Sequence, residues 1–322
     1  MSRYVRQMLL PEIGEAGQAR LARAHVAVIG AGGLGCPVLQ YLAGAGVGRI
    51  TLFDPDIVEE SNLHRQPIYR MADLGRPKAE AARDYLRAFN PQVETEARVC
   101  AVGPGMATKI AAEADLIVDA ADSFAVSYIL SDACRAAGTA LISASVLGQT
   151  GYVGGFCGGA PSLRAVFPDL PMSGASCATA GVSGPVVGVI GALQAQIALR
   201  VLLPVAPSPL GKMITADLAV LRFGEFSFLG APEPERAFAF IAANMLQATD
   251  LIVELRGRDE APRKVANRAV RLIEHELKSL APEPGQRVVL CCLTGLRAWR
   301  AANDLRARGI KNLALLAVAA CT

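Results

Sequence analysis

Residues 26–56 read VAVIGAGGLGCPVLQYLAGAGVGRITLFDPD, and how this stretch folds decides the rest. Val26-Ala27-Val28-Ile29 is a short apolar run of the kind that forms a strand buried in a parallel sheet. The glycine turn Gly30-Ala31-Gly32-Gly33-Leu34-Gly35 follows, then an apolar helix from about Cys36 to Ala45. A second strand, Arg49 to Phe53, ends in an acid, Asp54. The acid falls roughly 20 residues past the glycines, where a carboxylate can grip a ribose hydroxyl. Any side chain in place of these glycines would hold a phosphate away from the backbone N–H groups and the helix N-terminus. The unit implies a bound nucleotide but does not say which.

Outward from this unit, 322 residues suffice for one large domain and a smaller one. Composition is 52% hydrophobic and 19% charged, which suits an α/β protein with a buried sheet and an apolar subunit interface. A net charge of +3 is too slight to argue for nucleic acid or an anionic membrane. The amino terminus has no apolar signal-peptide core, and eight cysteines in a chain this long make no disulfide scaffold. A cytoplasmic protein with reduced thiols is expected. The longest apolar stretch, Pro185 to Leu203, carries Gln194, Gln196 and Arg200, which favour a core or interface helix over a membrane span.

Along the chain, residues 1–24 form an amphipathic helical lead-in, and a polar loop runs from Pro55 to Arg70. A helix spans Lys78 to Phe89, with Pro77 at its first turn and Asn90-Pro91 stopping it. Strand Val93 to Val99, helix Met106 to Ala114, strand Asp115 to Asp119, a helix to about Ala137 and strand Ala140 to Ala144 continue a βα alternation. The fold class is therefore α/β, a Rossmann-like, doubly wound, mostly parallel sheet. An antiparallel extension follows over Gly148–Pro161 and Lys212–Phe228. Ser162 to Gly184 reads as a loop near a site, and Leu229 to Glu235 as a boundary. Beyond it, strand Leu251–Leu255, helix Val265–Leu277, strand Arg287–Cys291 and helix Ala298–Arg308 form a short second unit. The division is 1–230, a linker at 231–248, and 249–322.

The loops discriminate between nucleotides. A nicotinamide cofactor needs little beyond the glycine turn, whereas ATP undergoing chemistry needs cations on its phosphates and a carboxylate for magnesium. Arg65 and Lys78 lie just past the second strand, and Asp122 just past a later one, so all three can converge at the carboxyl edge of the sheet. Nothing here supplies the acid–base pair of an NAD-dependent dehydrogenase.

Several motifs in fixed order resemble the ThiF/MoeB/HesA family, bacterial relatives of ubiquitin-activating enzymes. They are Arg3-Tyr4-Val5-Arg6-Gln7, the IGAGGLG turn, Asp54-Pro55-Asp56, Ser61-Asn62-Leu63-His64-Arg65-Gln66, Gly75-Arg76-Pro77-Lys78, Asp119 to Asp122 and Gly181 to Ala195. The resemblance covers about residues 1–228. It implies a homodimer that uses ATP and Mg²⁺ to adenylate the terminal glycine of a ubiquitin-like sulfur-carrier protein ending in Gly-Gly. It also implies that Gly30, Gly32, Gly33, Gly35, Asp54, Asp56, Ser61, Asn62, Leu63, His64, Arg65, Lys78, Asp122 and Ser123 line the ATP site. In that arrangement Asp54 sits on the ribose, Arg65 and Lys78 on the phosphates, and Asp122 on magnesium. Arg6 matches an arginine that reaches the partner subunit's site, and Cys177 a cysteine that in some members carries an acyl intermediate. Members often carry two Cys-x-x-Cys pairs for a structural zinc. This chain has Ser162-Leu163-Arg164-Ala165 and Gly230-Ala231-Pro232-Glu233 near those places, so no zinc is expected. Ser123 stands where many members have asparagine.

In the second unit, Cys292-Leu293-Thr294-Gly295-Leu296-Arg297 resembles the active loop of rhodanese-like sulfurtransferases, fused here as in the MoeZ and MOCS arrangement. Loop N–H groups, a helix N-terminus and Arg297 would stabilise a Cys292 thiolate or persulfide, charged by a cysteine desulfurase or other persulfide donor. Cys291 points the other way, into the core. The second unit is short, has Glu254 in place of an aspartate, and could be a degenerate, structural domain. Taken together these readings predict adenylation of a sulfur carrier followed by thiocarboxylate formation. The alternatives are adenylation of another acceptor, such as a tRNA base or a peptide, or a non-catalytic scaffold of the same fold.

Overall fold

Two short helices, α1 (Val5–Met8) and α2 (Gly14–Leu21), lead into the strand–turn–helix–strand unit. That unit is β1 (His25–Ile29), α3 (Gly35–Ala45) and β2 (Arg49–Phe53), and four of the five residues in each strand are buried. The structure is a computed structural model and describes residues 3–170 and 181–320. The alternation continues through α4 (Lys78–Phe89), β3 (Glu94–Arg98), α5 (Pro104–Glu113), β4 (Leu116–Asp119), α6 (Phe124–Ala137) and β5 (Ala140–Leu147). The glycines that follow α3 and α6, Gly46 and Gly138, are left-handed and turn the chain back toward the sheet. After β6 (Thr150–Cys157) come the single turn α7 (Leu163–Val166), the long helix α8 (Gly184–Leu202) and the hairpin β7 (Lys212–Asp217) and β8 (Arg222–Ser227).

These strands form one sheet in the order β3-β2-β1-β4-β5-β6-β7-β8. The first five are parallel, and β6 to β8 extend the sheet antiparallel, as expected. Successive crossovers from β1 wind outward in opposite directions, so a crevice opens between the carboxyl ends of β1 and β4. Helix α8 is long and apolar enough to cross a membrane by length and composition. Here it lies against α3, β5 and β6 with Val186, Val187, Ile190, Ala195 and Ala198 buried.

A second sheet, in the order β11-β10-β12-β13-β9, is wholly parallel. Its members are β9 (Ala239–Phe240), β10 (Leu251–Glu254), β11 (Val270–Arg271), β12 (Val288–Cys292) and β13 (Leu313–Ala317), with α9 (Leu296–Ala307) packed on it. The stretch 231–248, read as a linker, thus supplies an edge strand of this sheet. The helix expected over Val265–Leu277 does not form: β11 and a 3-10 segment, Glu274–Ser279, occupy that region. Its apolar residues serve two different faces. Ala269, with Val265 and Ala266, packs around Val289 and Cys291, while Leu277 joins Leu290 and Leu305 across the sheet. The ladder to Glu254 claims the backbone in between.

The two sheets share a core. One apolar cluster runs from Ile29 and Ile117 under α5 and α6, through Phe156, Phe228, Phe238 and Phe240, to Trp299 and Leu290 of the second sheet.

Candidate active site

Gly30 follows β1 with φ +99°, and a Cβ there would lie 2.5 Å from the carbonyl oxygen of Ala120. At Gly35 a Cβ would lie 2.1 Å from the carbonyl oxygen of Gly30. Both positions must be glycine for the turn to fold flat against the end of β4. This brings the glycine turn beside Asp119-Ala120-Ala121-Asp122, in the crevice at the switch point. Among the described residues the N–H groups of Gly32 and Gly33 donate to no protein acceptor, so both remain for a ligand.

Asp54 caps the second strand and is buried. Its Oδ2 accepts the N–H of Ala31 at 2.7 Å and its Oδ1 that of Asp56 at 2.8 Å. Burial pushes the Asp54 carboxyl above the ordinary range, and these two bonds oppose the shift. Lys78 opens α4 with its side chain only 8% exposed, and its Nζ donates to Asp56 Oδ2 at 2.9 Å. A buried ammonium needs such a partner, and a phosphate can take that partner's place. Arg65 lays its stem against Gly33, which is also covered by Val187, and its Nη1 donates to the carbonyl of Ser61 at 3.0 Å. Ser61 and His64 are exposed and Leu63 is half-buried. Asp122 is an exposed carboxylate on the rim, and Ser123 is the N-cap of α6.

The structure thus draws the glycines, Asp54, Asp56, the 61–65 loop, Lys78, Asp122 and Ser123 to one edge of the sheet. It does not bring Arg6 there within one chain. Helix α1 is tied by Gln7 Nε2 to the carbonyl of Ala45 at 2.8 Å, at the far end of α3 from the turn. Eleven helical residues, at 1.5 Å each, put that end ~16 Å away. Cys177 lies outside the described residues.

Three residues in the site were not singled out from sequence. Gln66 is 3% exposed, its amide lies near Gly32, and its Oε1 has no partner; the neighbouring Asn62 Oδ1 has none either. Buried orphan acceptors beside this glycine turn suit a ligand's hydrogen-bond donors. Gln66 stood in the quoted motif, so its signal was present. Asp119, fully buried, accepts the Ser143 hydroxyl at 2.7 Å and has a pKa raised to about 6 by burial. Tyr69 gave no sequence signal at all.

A lone exposed carboxylate such as Asp122 fits magnesium, a hard cation that keeps waters and takes phosphate oxygens as its other ligands. Near the places of the family's zinc cysteines, Glu233 accepts the Ser162 N–H at 2.8 Å and its hydroxyl at 2.6 Å. Arg164 beside it is bidentate to Asp132, at 2.6 and 2.8 Å.

In the second sheet Cys292 ends β12 and Cys291 faces the opposite core. Cys292 Sγ accepts the N–H groups of Gly295 at 3.1 Å and Ala298 at 3.4 Å. Arg297 points elsewhere, to the carbonyl of Leu255 and to Glu260. Cys292 is fully buried, and Gly295 packs between Phe240 and Ala125 of α6.

A sequence model of the ThiF family matches residues 4–236. The sulfur carrier protein adenylyltransferase of Thermus thermophilus is 44% identical over 225 residues, 67% of this chain and 83% of that protein. The SAMP-activating enzyme E1 of Haloferax volcanii is 36% identical over 72% of this chain and 87% of that protein. The adenylyltransferase and sulfurtransferase MOCS3 of Bos taurus is 44% identical over 67% of this chain but only 48% of its own length. Among solved structures, Escherichia coli MccB with ATP superposes with a TM-score of 0.63 at 23% identity, covering 73% of each chain. That likeness is one of fold.

Proposed function

Since the chain belongs to the ThiF family, we propose that it adenylates the terminal glycine of a ubiquitin-like sulfur-carrier protein ending in Gly-Gly and then helps convert it to a thiocarboxylate. The observation that carries the first step is the convergence of the glycine turn, Lys78, Arg65 and Asp122 at the β1–β4 crevice. The names of relatives that act on sulfur carriers support the choice of acceptor.

The chemistry asks little of the protein in bonds and much in charge. A carrier carboxylate oxygen attacks the α-phosphorus of ATP, a new P–O bond forms, the α–β bridge breaks, and pyrophosphate leaves with the electron pair. A carboxylate is already ionised, so no general base is needed. Two anions must meet, and fixed cations offset that repulsion most where charge builds in the transition state. Lys78 would exchange Asp56 for a phosphate oxygen, Arg65 would swing from the Ser61 carbonyl to another, and Asp54 would hold the ribose. Magnesium, when bound, would neutralise the phosphates, with Asp122 and Ser123 as its protein neighbours. Arg6 would complete the site of a partner subunit, since α1 lies far from the turn of its own chain.

For the second step, residues 249–322, with β9 added from the stretch before them, are read as a rhodanese-like unit joined to an adenylating domain at 1–230. A persulfide on Cys292 would be held by the N–H groups of Gly295 and Ala298, with Cys177 as the candidate acyl acceptor. A cysteine desulfurase in a reducing cytoplasm is the fitting donor. ATP–pyrophosphate exchange tests the first step: the protein with Mg²⁺ should exchange label only when a Gly-Gly-ended carrier is present. No exchange across a panel of such carriers would refute it. Thiocarboxylate appearing on the carrier, and lost in Cys292→Ser, would support the second.

A further inference from the structure

We propose that Tyr69 is a positioning residue of the nucleotide site, joining the glycine turn to the helix that carries Lys78. This rests on the nucleotide-binding reading above but not on the identity of the acceptor. Tyr69 is 5% exposed, at the end of the polar loop. Its hydroxyl donates to the carbonyl of Ala31 at 2.7 Å and lies 3.2 Å from that of Lys78. Burial pushes the phenol upward, so it remains a protonated donor throughout the physiological range.

Ala31 is thereby held at both ends. Its N–H goes to Asp54 Oδ2 at 2.7 Å and its carbonyl takes the Tyr69 proton. Asp54 Oδ1 in turn accepts the N–H of Asp56. Asp56 accepts the Lys78 N–H on its carbonyl at 2.8 Å and the Lys78 Nζ on its carboxylate at 2.9 Å. The result is a ring of contacts, Ala31–Asp54–Asp56–Lys78–Tyr69, in which the single Tyr69 proton goes to Ala31 and the Lys78 carbonyl lies 3.2 Å from the hydroxyl. The ring sets the distance between the free N–H groups that follow Ala31 and the lysine ammonium. Those are the two features that must address one triphosphate together, and small errors in their spacing carry large penalties.

Tyr69→Phe keeps the ring volume and removes only the hydroxyl, leaving the Ala31 carbonyl without its donor. In pyrophosphate exchange the KM for ATP should rise ~10-fold, equivalent to ~1.4 kcal/mol, while the KM for the carrier stays unchanged. Loss of folded protein alone would lower the rate and move neither KM, so the split separates positioning from mere stability. Asp56→Asn keeps the backbone links to Asp54 and Lys78 and removes only the carboxylate that a phosphate displaces from the Lys78 ammonium, so it should not raise the KM for ATP. An unchanged KM for ATP in Tyr69→Phe, or an equal rise in Asp56→Asn, overturns the proposal. If no carrier supports exchange, calorimetric titration with ATP and Mg²⁺ reads the same ~10-fold change as a Kd. That result would sustain the role of Tyr69 while the sulfur-carrier reading fell.

Discussion

Replacing Phe240 with alanine should uncover Cys292. The thiol is fully buried at the end of β12, and its loop is covered at Gly295 by Phe240 of β9 and Ala125 of α6. A Cβ built on Gly295 would lie 2.8 Å from the Phe240 ring and 3.3 Å from the Ala125 Cβ, so no gap separates the loop from its cover. A reagent can reach Sγ only when the loop lifts or the domains part, and its rate then follows the population of that opened form. Phe240 is 7% exposed and belongs to the shared core. Truncating a buried phenylalanine costs about 3–5 kcal/mol, and a two-residue edge strand argues for the lower figure. At a factor of ten per 1.4 kcal/mol, ~3 kcal/mol raises the opened population roughly 100-fold. The assay is pulsed iodoacetamide labelling of the native protein, with peptide mass spectrometry at Cys292 and at half-buried Cys100 as internal reference. Cys292 should label far more slowly than Cys100 in the parent and close most of that gap in Phe240→Ala. Equal rates at the two cysteines in the parent, or no acceleration at Cys292 in the variant, would refute the sheathing. Under the proposed second step, persulfide loading of Cys292 would require the same opening.

Three other outcomes follow from the ion pairs and buried polar groups. Lys78→Met should lower the exchange rate by about 10²–10³, as loss of a preorganised charge does, with little change in stability because Asp56 is 65% exposed and can be solvated; a rate within threefold of the parent would contradict the assigned role. Asp119 titrates at about 6 against a reference of 3.8, because burial disfavours its charge. A raised carboxyl stabilises the fold fully below the unfolded value, and this contribution is lost as pH rises through about 6. The difference, 6 − 3.8 = 2.2, at 1.36 kcal/mol per unit is ~3 kcal/mol. Urea unfolding between pH 4 and 7.5 should show that decline in the parent and not in Asp119→Asn, which differs by a constant offset; parallel pH profiles would dismiss the titration. Glu233→Ala strips both partners from Ser162, itself 1% exposed, and should cost about 1–3 kcal/mol. Limited proteolysis near residues 162–170 should accelerate, and an unchanged digest would show that the carboxylate does not hold this segment.

Much of the nucleotide site was readable because its signals are local. A glycine turn after a buried strand and an acid after the next encode backbone geometry within thirty residues, and β1, α3 and β2 formed where the pattern placed them. Lys78 and Asp122 were placed by topology, since loops at the carboxyl ends of parallel strands share one edge. The helix expected at Val265–Leu277 failed for the opposite reason. Apolar spacing there served two cores on either side of a sheet, and nothing local distinguishes that from one helical face.

What the amino-acid order determined by itself is the doubly wound sheet, the position of the glycine turn and the chemical types at its rim, because strand burial, helix capping and glycine conformation act over a few residues. Tertiary structure alone decided that the Tyr69 hydroxyl lies between the carbonyls of Ala31 and Lys78, that Arg6 stands away from its own turn, and that the loop after Cys292 packs at Gly295 against Phe240 and α6. Those contacts join segments from 9 to 38 residues apart, or lie between the two sheets. They exist only after long-range packing has spent the chain entropy that local preference cannot offset.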